Sequence, residues 1–338
     1  MKNTERIFAP VDQPEDQEPQ AIYRPVKLND FIGQQEVTQR LTIFIDAALK
    51  ESRVLDHVIL SGPPGLGKTT LGSIIAKELG VGIRITAGPL LTRPGDLAAI
   101  LTNLQAHDVL FIDEIHRLTT SVEETLYSAM EDFRLDIVLG EGPSARVVQV
   151  PLPRFTLIGA TTRLGLITRP LRERFGIHET MRFYNTEDLT TILRMASDRL
   201  SLSIEDDALA VLANCSRGTP RIALRLIRRV YDVALYRKWT ILKKEDVFNA
   251  LKELDIDKNG MDVLDRAYIA VIGGRYKGGP VGIDTLASLL SEQKDVIEDT
   301  VEPYLIARNL VDKTPRGRML TEEGKEYYSQ IGLGGGAL

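Results

Sequence analysis

The chain has 338 residues and a formal net charge of −5, with 43% hydrophobic and 26% charged residues. It is too long for one small domain and too short for more than three, and its composition is ordinary for a globular cytosolic protein. The single cysteine, Cys215, excludes an intrachain disulfide and a cysteine-based zinc site. No apolar run approaches the roughly 18 residues that span a bilayer, so we expect no membrane partner.

The N-terminal stretch is acidic, proline-rich and polar, and it lacks the apolar core of a secretory signal. We therefore expect a soluble, cytoplasmic protein whose residues 1–19 are disordered. The acidic net charge argues against a nucleic-acid partner, but only weakly. Binding depends on local patches of positive charge and not on the net charge of the chain.

Helical and strand-like segments alternate along the first half of the chain. The first predicted helix has apolar side chains at spacing four, at Val37, Leu41, Ile45 and Leu49. Short apolar runs typical of buried strands follow, separated by helical segments: HVILSG, VGIRITAG, DVLFIDE and RFTLIGATTR. This alternation predicts an α/β domain over residues 20–184, with a parallel sheet covered on both faces and a ligand at the carboxyl ends of its strands.

Within this domain, alternating residues on either side of Gly140-Glu141-Gly142-Pro143 predict a β-hairpin over residues 134–150.

The pattern changes after about residue 184. Residues 185–255 are mostly helical and predict a small helical domain, and the polar break at 255–260 is interpreted as a linker. Residues 258–330 hold three helical segments and then two short strands around a tight turn at Pro315-Arg316-Gly317, a pattern typical of a winged helix. The glycine-rich residues 331–338 are expected to be flexible.

The most specific motif is the loop at residues 62–69, Gly-Pro-Pro-Gly-Leu-Gly-Lys-Thr, between a predicted strand and a predicted helix. Its glycines let successive backbone N–H groups point at phosphate oxygens, and the helix adds its positive N-terminal end. Lys68 can reach the β- and γ-phosphates and the Thr69 hydroxyl can bind Mg²⁺. We therefore predict an ATP/ADP site with these contacts: Gly62, Gly65, Gly67, Lys68, Thr69 and Thr70.

Two further strand ends carry polar pairs. Asp113 follows a buried strand and is predicted to hold Mg²⁺, mainly through water, while Glu114 is predicted to orient and deprotonate the attacking water. Thr161 and Thr162 end the next apolar strand, where a hydroxyl can bond to the γ-phosphate or the water. The sequence does not decide which threonine does so.

Arginines complete the predicted chemistry. Arg172 and Arg174 follow that last strand, and one that reaches a neighbouring subunit's γ-phosphate would stabilise charge in the transition state. The alternative is a surface arginine paired within its helix, for example with Glu173. Arg221 begins a helix of the small domain and can reach the nucleotide of its own chain; the alternative is a solvated helix start.

Two basic patches bear on nucleic acid. Lys313, Arg316 and Arg318 surround the predicted wing, where cations can grip phosphates of any sequence, although a solvated basic turn is the plain alternative. The second patch is assigned to subunit and nucleotide contacts rather than to DNA: Arg217, Arg221, Arg225, Arg228 and Arg229. Few aromatic residues lie near either patch, so duplex binding is favoured over single-strand binding.

The order and spacing of five segments resemble AAA+ ATPases: GPPGLGKTT, LFIDEIHRL, LIGATTR, LRERFG and RGTPRIA. Further segments resemble the RuvB family of bacterial Holliday-junction branch-migration motors, over about residues 20–325: RPVKLNDFIGQ, GDLAAILTNL, YSAMEDF, LGEGPSARV, GGPVGIDTLA, EDTVEPYLI and TPRGRM.

The resemblance implies an AAA+ P-loop domain, a small helical lid and a C-terminal winged-helix head, assembled as a homohexameric ring around duplex DNA in recombination, repair and the SOS response. It implies that Arg174 acts on the neighbouring subunit's nucleotide and that Arg221 closes the lid. It implies a RuvA-like partner at the 134–150 hairpin and a RuvC-like resolvase. Nucleotide-proximal residues are implied at Tyr23, Arg24, Glu131, Asp132, Phe133 and Tyr184.

Two other functions compete with this interpretation. A clamp-loader-like ATPase would remodel a protein ring on DNA, but it would have no winged-helix head. A DNA-binding regulator that uses nucleotide only as a switch would have no need of Glu114.

Overall fold

The computed structural model describes residues 22–139 and 146–333. The predicted disorder of residues 1–19, the hairpin tip at Gly140–Pro143 and residues 334–338 lie outside this range. The chain divides into two compact units, residues 1–184 and 185–338.

The first unit is built on a five-stranded parallel sheet of order β2-β3-β6-β1-β7. Its strands are β1 (Val58–Ser61), β2 (Ile83–Ala87), β3 (Val109–Asp113), β6 (Thr156–Thr161) and β7 (Ile177–Thr180). Its α-helices are α1 (Gln35–Lys50), α2 (Lys68–Glu78), α3 (Pro94–Leu101), α4 (Thr120–Glu131) and α5 (Arg169–Glu173). Every residue of β1 and β6 is buried, so the predicted α/β domain with a covered parallel sheet is confirmed.

The hairpin predicted over residues 134–150 is present as β4 (Arg134–Leu139) and β5 (Arg146–Pro151), which pair antiparallel outside the main sheet.

Helix α1 corrects one detail of the predicted core. Val37, Leu41 and Ile45 are buried, but Leu49 is 48% exposed and Ala48 is buried in its place. At 3.6 residues per turn, a spacing of four drifts off one face after three steps, whereas the eleven-residue step from position 37 to 48 is just over three whole turns and returns to the same face.

Strand β7 was not predicted. It has only four residues, lies at the sheet edge beside β1 and alternates between buried and exposed positions. Such a short alternating run carries little strand signal.

The second unit begins with four helices and continues as a winged helix. The first four are α6 (Thr186–Arg199), α7 (Asp206–Cys215), α8 (Pro220–Arg237) and α9 (Lys244–Glu253). The later elements are α10 (Val263–Ala270), α11 (Ile283–Leu290), α12 (Lys294–Val296), α13 (Glu302–Ala307), β8 (Val311–Thr314), β9 (Gly317–Leu320) and α14 (Glu322–Leu333). The hairpin turn at Pro315-Arg316 is present as expected. Helix α14 was not predicted, and it continues three residues into the expected flexible tail.

The polar stretch 255–260 is packed and is not a free linker. Asp257 Oδ1 accepts hydrogen bonds from the backbone N–H groups of Asn259 and Met261, both at 2.8 Å, and Tyr327 donates its hydroxyl to Asp257 Oδ2 at 2.5 Å. Asp257 thus stabilises a turn through its own side chain, whereas a polar residue in a sequence can equally belong to a free linker.

Across the described ranges, no helix combines the length and apolar character needed to cross a membrane.

A buried histidine gives the first unit a pH-dependent stability. His57 Nδ1 accepts the N–H of Leu157 at 2.8 Å, so Nε2, 3.1 Å from the carbonyl oxygen of Met130, must carry the proton. Burial lowers the pKa of His57 below its ordinary value, although the Met130 contact opposes this. Its contribution is therefore complete above the unfolded pKa of about 6.5 and is lost as pH falls below it.

We expect the free energy of unfolding of the wild type to fall more between pH 7.5 and pH 5.5 than that of His57→Gln, which cannot titrate. Urea denaturation at both pH values measures this difference. Equal losses in the two proteins would refute the proposed role of His57.

Candidate functional site

Strand order brings three of the predicted motifs to one edge of the sheet. Strand β6 lies between β1 and β3, and Ser61 pairs in register with Thr161. The loop after β1, the threonine pair after β6 and the acidic pair after β3 therefore share the carboxyl edge of three adjacent parallel strands, where such sheets bind ligands.

The loop of residues 62–69 has the backbone conformation that its glycines allow. Gly62, Gly65 and Gly67 have φ values of 137°, 78° and 97°. A Cβ atom added at Gly62 would lie 2.4 Å from the carbonyl oxygen of Met181, so no larger residue fits there. Gly67 immediately precedes helix α2, whose N-terminal N–H groups can bind phosphate.

Lys68 is held within the curve of the loop. Its Nζ donates to the carbonyl oxygens of Gly62 and Pro63, both at 2.8 Å, and the residue is only 7% exposed. The loop thus presents a partly desolvated ammonium group at the start of α2, where it can attract phosphate oxygens.

The two residues predicted to hold a metal lie in contact. Thr69 Oγ1 donates to Asp113 Oδ2 at 3.2 Å, and Asp113 Oδ1 accepts the N–H of Glu114 at 2.9 Å. A hydroxyl and a carboxylate are oxygen ligands of the kind that Mg²⁺ takes beside nucleotide phosphates. These side chains therefore fit a nucleotide-bound Mg²⁺.

Glu114 has a strained backbone and an ion-paired side chain. Its φ and ψ of 45° lie in the left-handed region, which is unfavourable for a residue with a Cβ atom and is concentrated at functional sites. Its Oε2 is 3.2 Å from a guanidinium nitrogen of Arg117. Sequence reasoning did not single out Arg117, because a cation three residues later is ordinary on a helical turn.

The structure distinguishes the two threonines. Thr161 is 1% exposed, its Oγ1 lies 3.0 Å from His116 Nδ1, and it accepts the N–H of Arg163 at 3.0 Å. The Thr162 hydroxyl is buried and has no hydrogen-bond partner among the described residues. An unpaired buried hydroxyl costs about 1–3 kcal/mol, so Thr162 is the better candidate for a ligand contact.

We expect Thr162→Val to lower the rate of ATP hydrolysis about 10- to 100-fold, the cost of one or two charge-assisted hydrogen bonds, with little change in melting temperature. Thr161→Val should instead lower the melting temperature, because it removes the buried hydroxyl that accepts the Arg163 N–H. Steady-state ATPase assays and thermal melts of both variants measure this contrast. A Thr162→Val enzyme with wild-type turnover would exclude that hydroxyl.

Arg174 is fixed near the protein surface. It donates to the carbonyl oxygen of Pro170 at 2.7 Å and to Glu131 Oε2 at 3.0 Å, and its guanidinium carbon lies 4.5 Å from the centre of the Tyr127 ring. The intrahelical partner of Glu173 is Arg169, at 2.6 Å. The alternative of an Arg174–Glu173 pair therefore does not describe this structure.

The stretch 131–133 has three separate roles here. Glu131 holds Arg174, Asp132 pairs with Arg134 at 3.1 Å, and the Phe133 ring packs edge-on against Phe155 with 5.9 Å between centroids. Only Glu131 is thus joined by these contacts to another predicted site residue.

Two aromatic residues contact the phosphate loop. Tyr184 donates its hydroxyl to the carbonyl oxygen of Leu66 at 3.2 Å, and its contact with the nucleotide stays a prediction. Phe31, which the sequence analysis missed, lies 3.2 Å from the position of a Cβ atom at Gly67. Tyr23 is buried and donates to the carbonyl oxygen of Asp30 at 2.8 Å, and Arg24 beside it is exposed.

In the second unit, Arg221 is exposed in the first turn of α8, and Arg316 is exposed in the wing turn. Lys313 is half-exposed and lies 3.2 Å from Glu298.

Arg318 requires a correction, because it is 7% exposed and not on the wing surface. Its Nε donates to Glu302 at 2.7 Å and a terminal nitrogen donates to Glu298 at 2.8 Å. Strand β9 also bridges Val281 at this position. Arg318 therefore supports the base of the wing.

Family models match almost the whole chain in three consecutive parts. They are the Holliday junction DNA helicase RuvB P-loop domain at residues 23–181, the RuvB AAA lid domain at 184–257 and the RuvB C-terminal winged helix domain at 258–329. The predicted combination of AAA+ P-loop, helical lid and winged-helix domains is confirmed.

Curated relatives and solved structures agree with these models. The chain is 54% identical over 308 residues to the Holliday junction branch migration complex subunit RuvB of Rhodospirillum centenum, covering 91% of this chain and 85% of the relative. It is 55% identical over 311 residues to the same subunit of Orientia tsutsugamushi strain Boryong, covering 92% and 96%. The Thermotoga maritima RuvB Holliday junction branch migration motor matches with a TM-score of 0.84 and 45% identity, covering 91% of this chain and 98% of that one. The chain therefore belongs to the RuvB family.

Proposed function

We propose that this protein is an ATP-driven motor that moves duplex DNA through a homohexameric ring and so migrates Holliday junctions during recombination and repair. The observation that carries the proposal is the 3.2 Å contact between Thr69 and Asp113 beside a buried Lys68. This phosphate and metal chemistry is encoded in the same chain as a winged helix. The proposed division is a large ATPase domain at 20–184, a lid at 185–255 and a head at 258–330.

In the proposed reaction, ATP lies between Lys68 and Thr69 of one subunit and Arg174 of the next. Glu114 accepts a proton from the attacking water, which requires its carboxylate to leave Arg117 and turn to the water. Thr162 supplies a hydroxyl to the γ-phosphate or the water. Mg²⁺ held by Thr69 and Asp113 would neutralise charge on the β- and γ-phosphates.

Movement follows from the same groups. Arg221 joins the nucleotide of its own chain, so that loss of the γ-phosphate changes the lid angle. The head grips duplex phosphates through Lys313 and Arg316, without sequence preference. We further propose that the β4–β5 hairpin meets a RuvA-like junction-binding protein, that a RuvC-like resolvase acts with the complex, and that the protein works in the cytoplasm.

Two observations favour a motor over its competitors. A clamp-loader-like ATPase leaves the winged helix at 258–329 unexplained. A nucleotide-operated switch leaves Glu114 unexplained, because binding alone needs no base at that position.

The test uses a labelled four-way junction, the RuvA-like partner and ATP. We expect the junction to dissociate into duplex products in proportion to the ATP hydrolysed, and electron microscopy to show rings on the duplex arms. ATP hydrolysis without branch migration under these conditions would refute the motor.

The wing provides a separate prediction. We expect Arg316→Ala to reduce DNA-stimulated ATPase activity severalfold and to lower the salt slope of DNA binding by about one phosphate contact, with unchanged nucleotide affinity. Arg318→Ala should instead destabilise the head by about 3–5 kcal/mol, because it leaves Glu302 buried without its guanidinium. Salt-titrated DNA binding and thermal melts compare the two variants. An Arg316→Ala protein with wild-type DNA stimulation would exclude the turn as a contact.

A further inference from the structure

A buried arginine joins the lid segment of the second unit to its winged-helix segment. Arg217 is 6% exposed, and its Nε donates to the carbonyl oxygen of Gly260 at 2.9 Å. One terminal nitrogen lies 2.5 Å from Asp265 and 2.7 Å from Asp262. Arg217 lies in the segment that matches the lid domain, residues 184–257. All three of its partners lie in the segment that matches the winged-helix domain, residues 258–329.

The position of Arg217 links this joint to the nucleotide-sensing end of the lid. It lies in the turn between α7 and α8, four residues before Arg221, with φ of 53°. The turn is closed by a 3.0 Å bond from the N–H of Thr219 to the carbonyl oxygen of Ser216, which is fully buried. Because this turn is short and hydrogen-bonded, a displacement of the start of α8 must displace the Arg217 backbone with it.

The joint is packed as well as charged. A Cβ atom added at Gly260, whose φ is +77°, would lie 2.6 Å from the carbonyl oxygen of Cys215, at the end of α7. Tyr304 donates to the carbonyl oxygen of Asn259 at 2.9 Å, and its ring centre lies 5.6 Å from the Arg217 guanidinium carbon. Two lid elements and a head helix thus meet at one point, which leaves little freedom for a hinge.

The charges make the joint specific. Asp265 is fully buried, so removing Arg217 would leave its carboxylate without this cation in a site that water does not reach. Asp262 is 39% exposed and can lose its charge at lower cost. Replacing Arg217 should therefore weaken the joint strongly, whereas neutralising Asp262 should weaken it mildly.

We propose that Arg217 is the positioning residue through which movement of the lid at Arg221 is passed to the DNA-binding head. The inference rests on the proposed motor function and adds to it the element that couples hydrolysis to DNA movement. Arg217 transmits the displacement of the lid to the head and contacts no reacting atom. Its loss should therefore uncouple DNA movement from ATP hydrolysis without stopping hydrolysis.

The experiment measures base pairs migrated per ATP hydrolysed, using the full-length protein, a four-way junction and the RuvA-like partner. For Arg217→Lys and Asp262→Asn, we expect basal ATPase activity within about twofold of wild type and migration per ATP lowered about 3- to 30-fold, the range for mutations in a coupling network. The matched control is Asp206→Asn, which removes a solvated pair between α7 and Arg194 of α6 at 2.7 Å and should change neither quantity.

Thermal melts identify a variant that fails to fold, and Asp262→Asn then carries the test alone because its side chain is partly solvated. If the wild type hydrolyses ATP without migrating junctions, the proposed function fails. If the wild type migrates junctions and the folded variants keep the wild-type ratio, the coupling role of Arg217 is overturned and the proposed function stands.

Discussion

Replacing Glu114 with glutamine is expected to lower kcat for ATP hydrolysis by about 10²- to 10⁴-fold, the usual contribution of a positioned general base, while ATP still binds. Glutamine has the same shape but cannot take a proton from water. The lost ion pair with Arg117 is half-exposed on both sides, so the change should cost little stability. Steady-state turnover and fluorescent-nucleotide binding separate the two effects.

Glu173→Gln is the matched control, because it makes the same chemical change at a surface carboxylate whose partner is Arg169. It should leave turnover unchanged. Turnover near the wild-type rate in Glu114→Gln would show that another group activates the water, and the ATPase mechanism would have to be rebuilt.

The sequence predicted those site residues that belong to a contiguous motif or directly follow an apolar strand. The loop at 62–69 is a contiguous motif, and Asp113 and Thr161 stand at the ends of strongly apolar strands. In a parallel sheet the carboxyl ends of neighbouring strands share one edge. The observed strand order, together with the loop that leads from β1 into α2, then brings Thr69 within 3.2 Å of Asp113.

The errors concern residues whose environment is set by distant parts of the chain. Arg217 was grouped with a basic patch assigned to subunit and nucleotide contacts, and Arg318 with the DNA-binding cations of the wing, because arginine is ordinarily exposed. Both are in fact buried. Each pairs with a carboxylate distant in the sequence, Asp265 at 48 residues from Arg217 and Glu302 at 16 residues from Arg318. Periodicity within one helix or strand cannot reveal such a partner.

Arg174 is expected to have the second large effect on hydrolysis. If it completes the site of the adjacent subunit, Arg174→Ala should lower the turnover of assembled rings by about 10³-fold or more, as for other arginines supplied to a phosphoryl-transfer site. Its contacts with Pro170, Glu131 and Tyr127 fix the guanidinium near the surface in advance. Nucleotide affinity and ring assembly, measured by binding and light scattering, should be retained.

Mixed rings decide whether this arginine acts between subunits. Arg174→Ala retains Lys68, and Lys68→Ala retains Arg174, so each variant alone should be inactive. In random equimolar rings, about a quarter of the head-to-tail interfaces combine an intact Lys68 with an intact Arg174, and ATPase activity should reappear on mixing. Mixing Lys68→Ala with Glu114→Gln should restore nothing, because both groups belong to the same side of an interface. If the first mixture also stays inactive while mixed rings form, Arg174 does not serve a neighbour and the site is not shared between subunits.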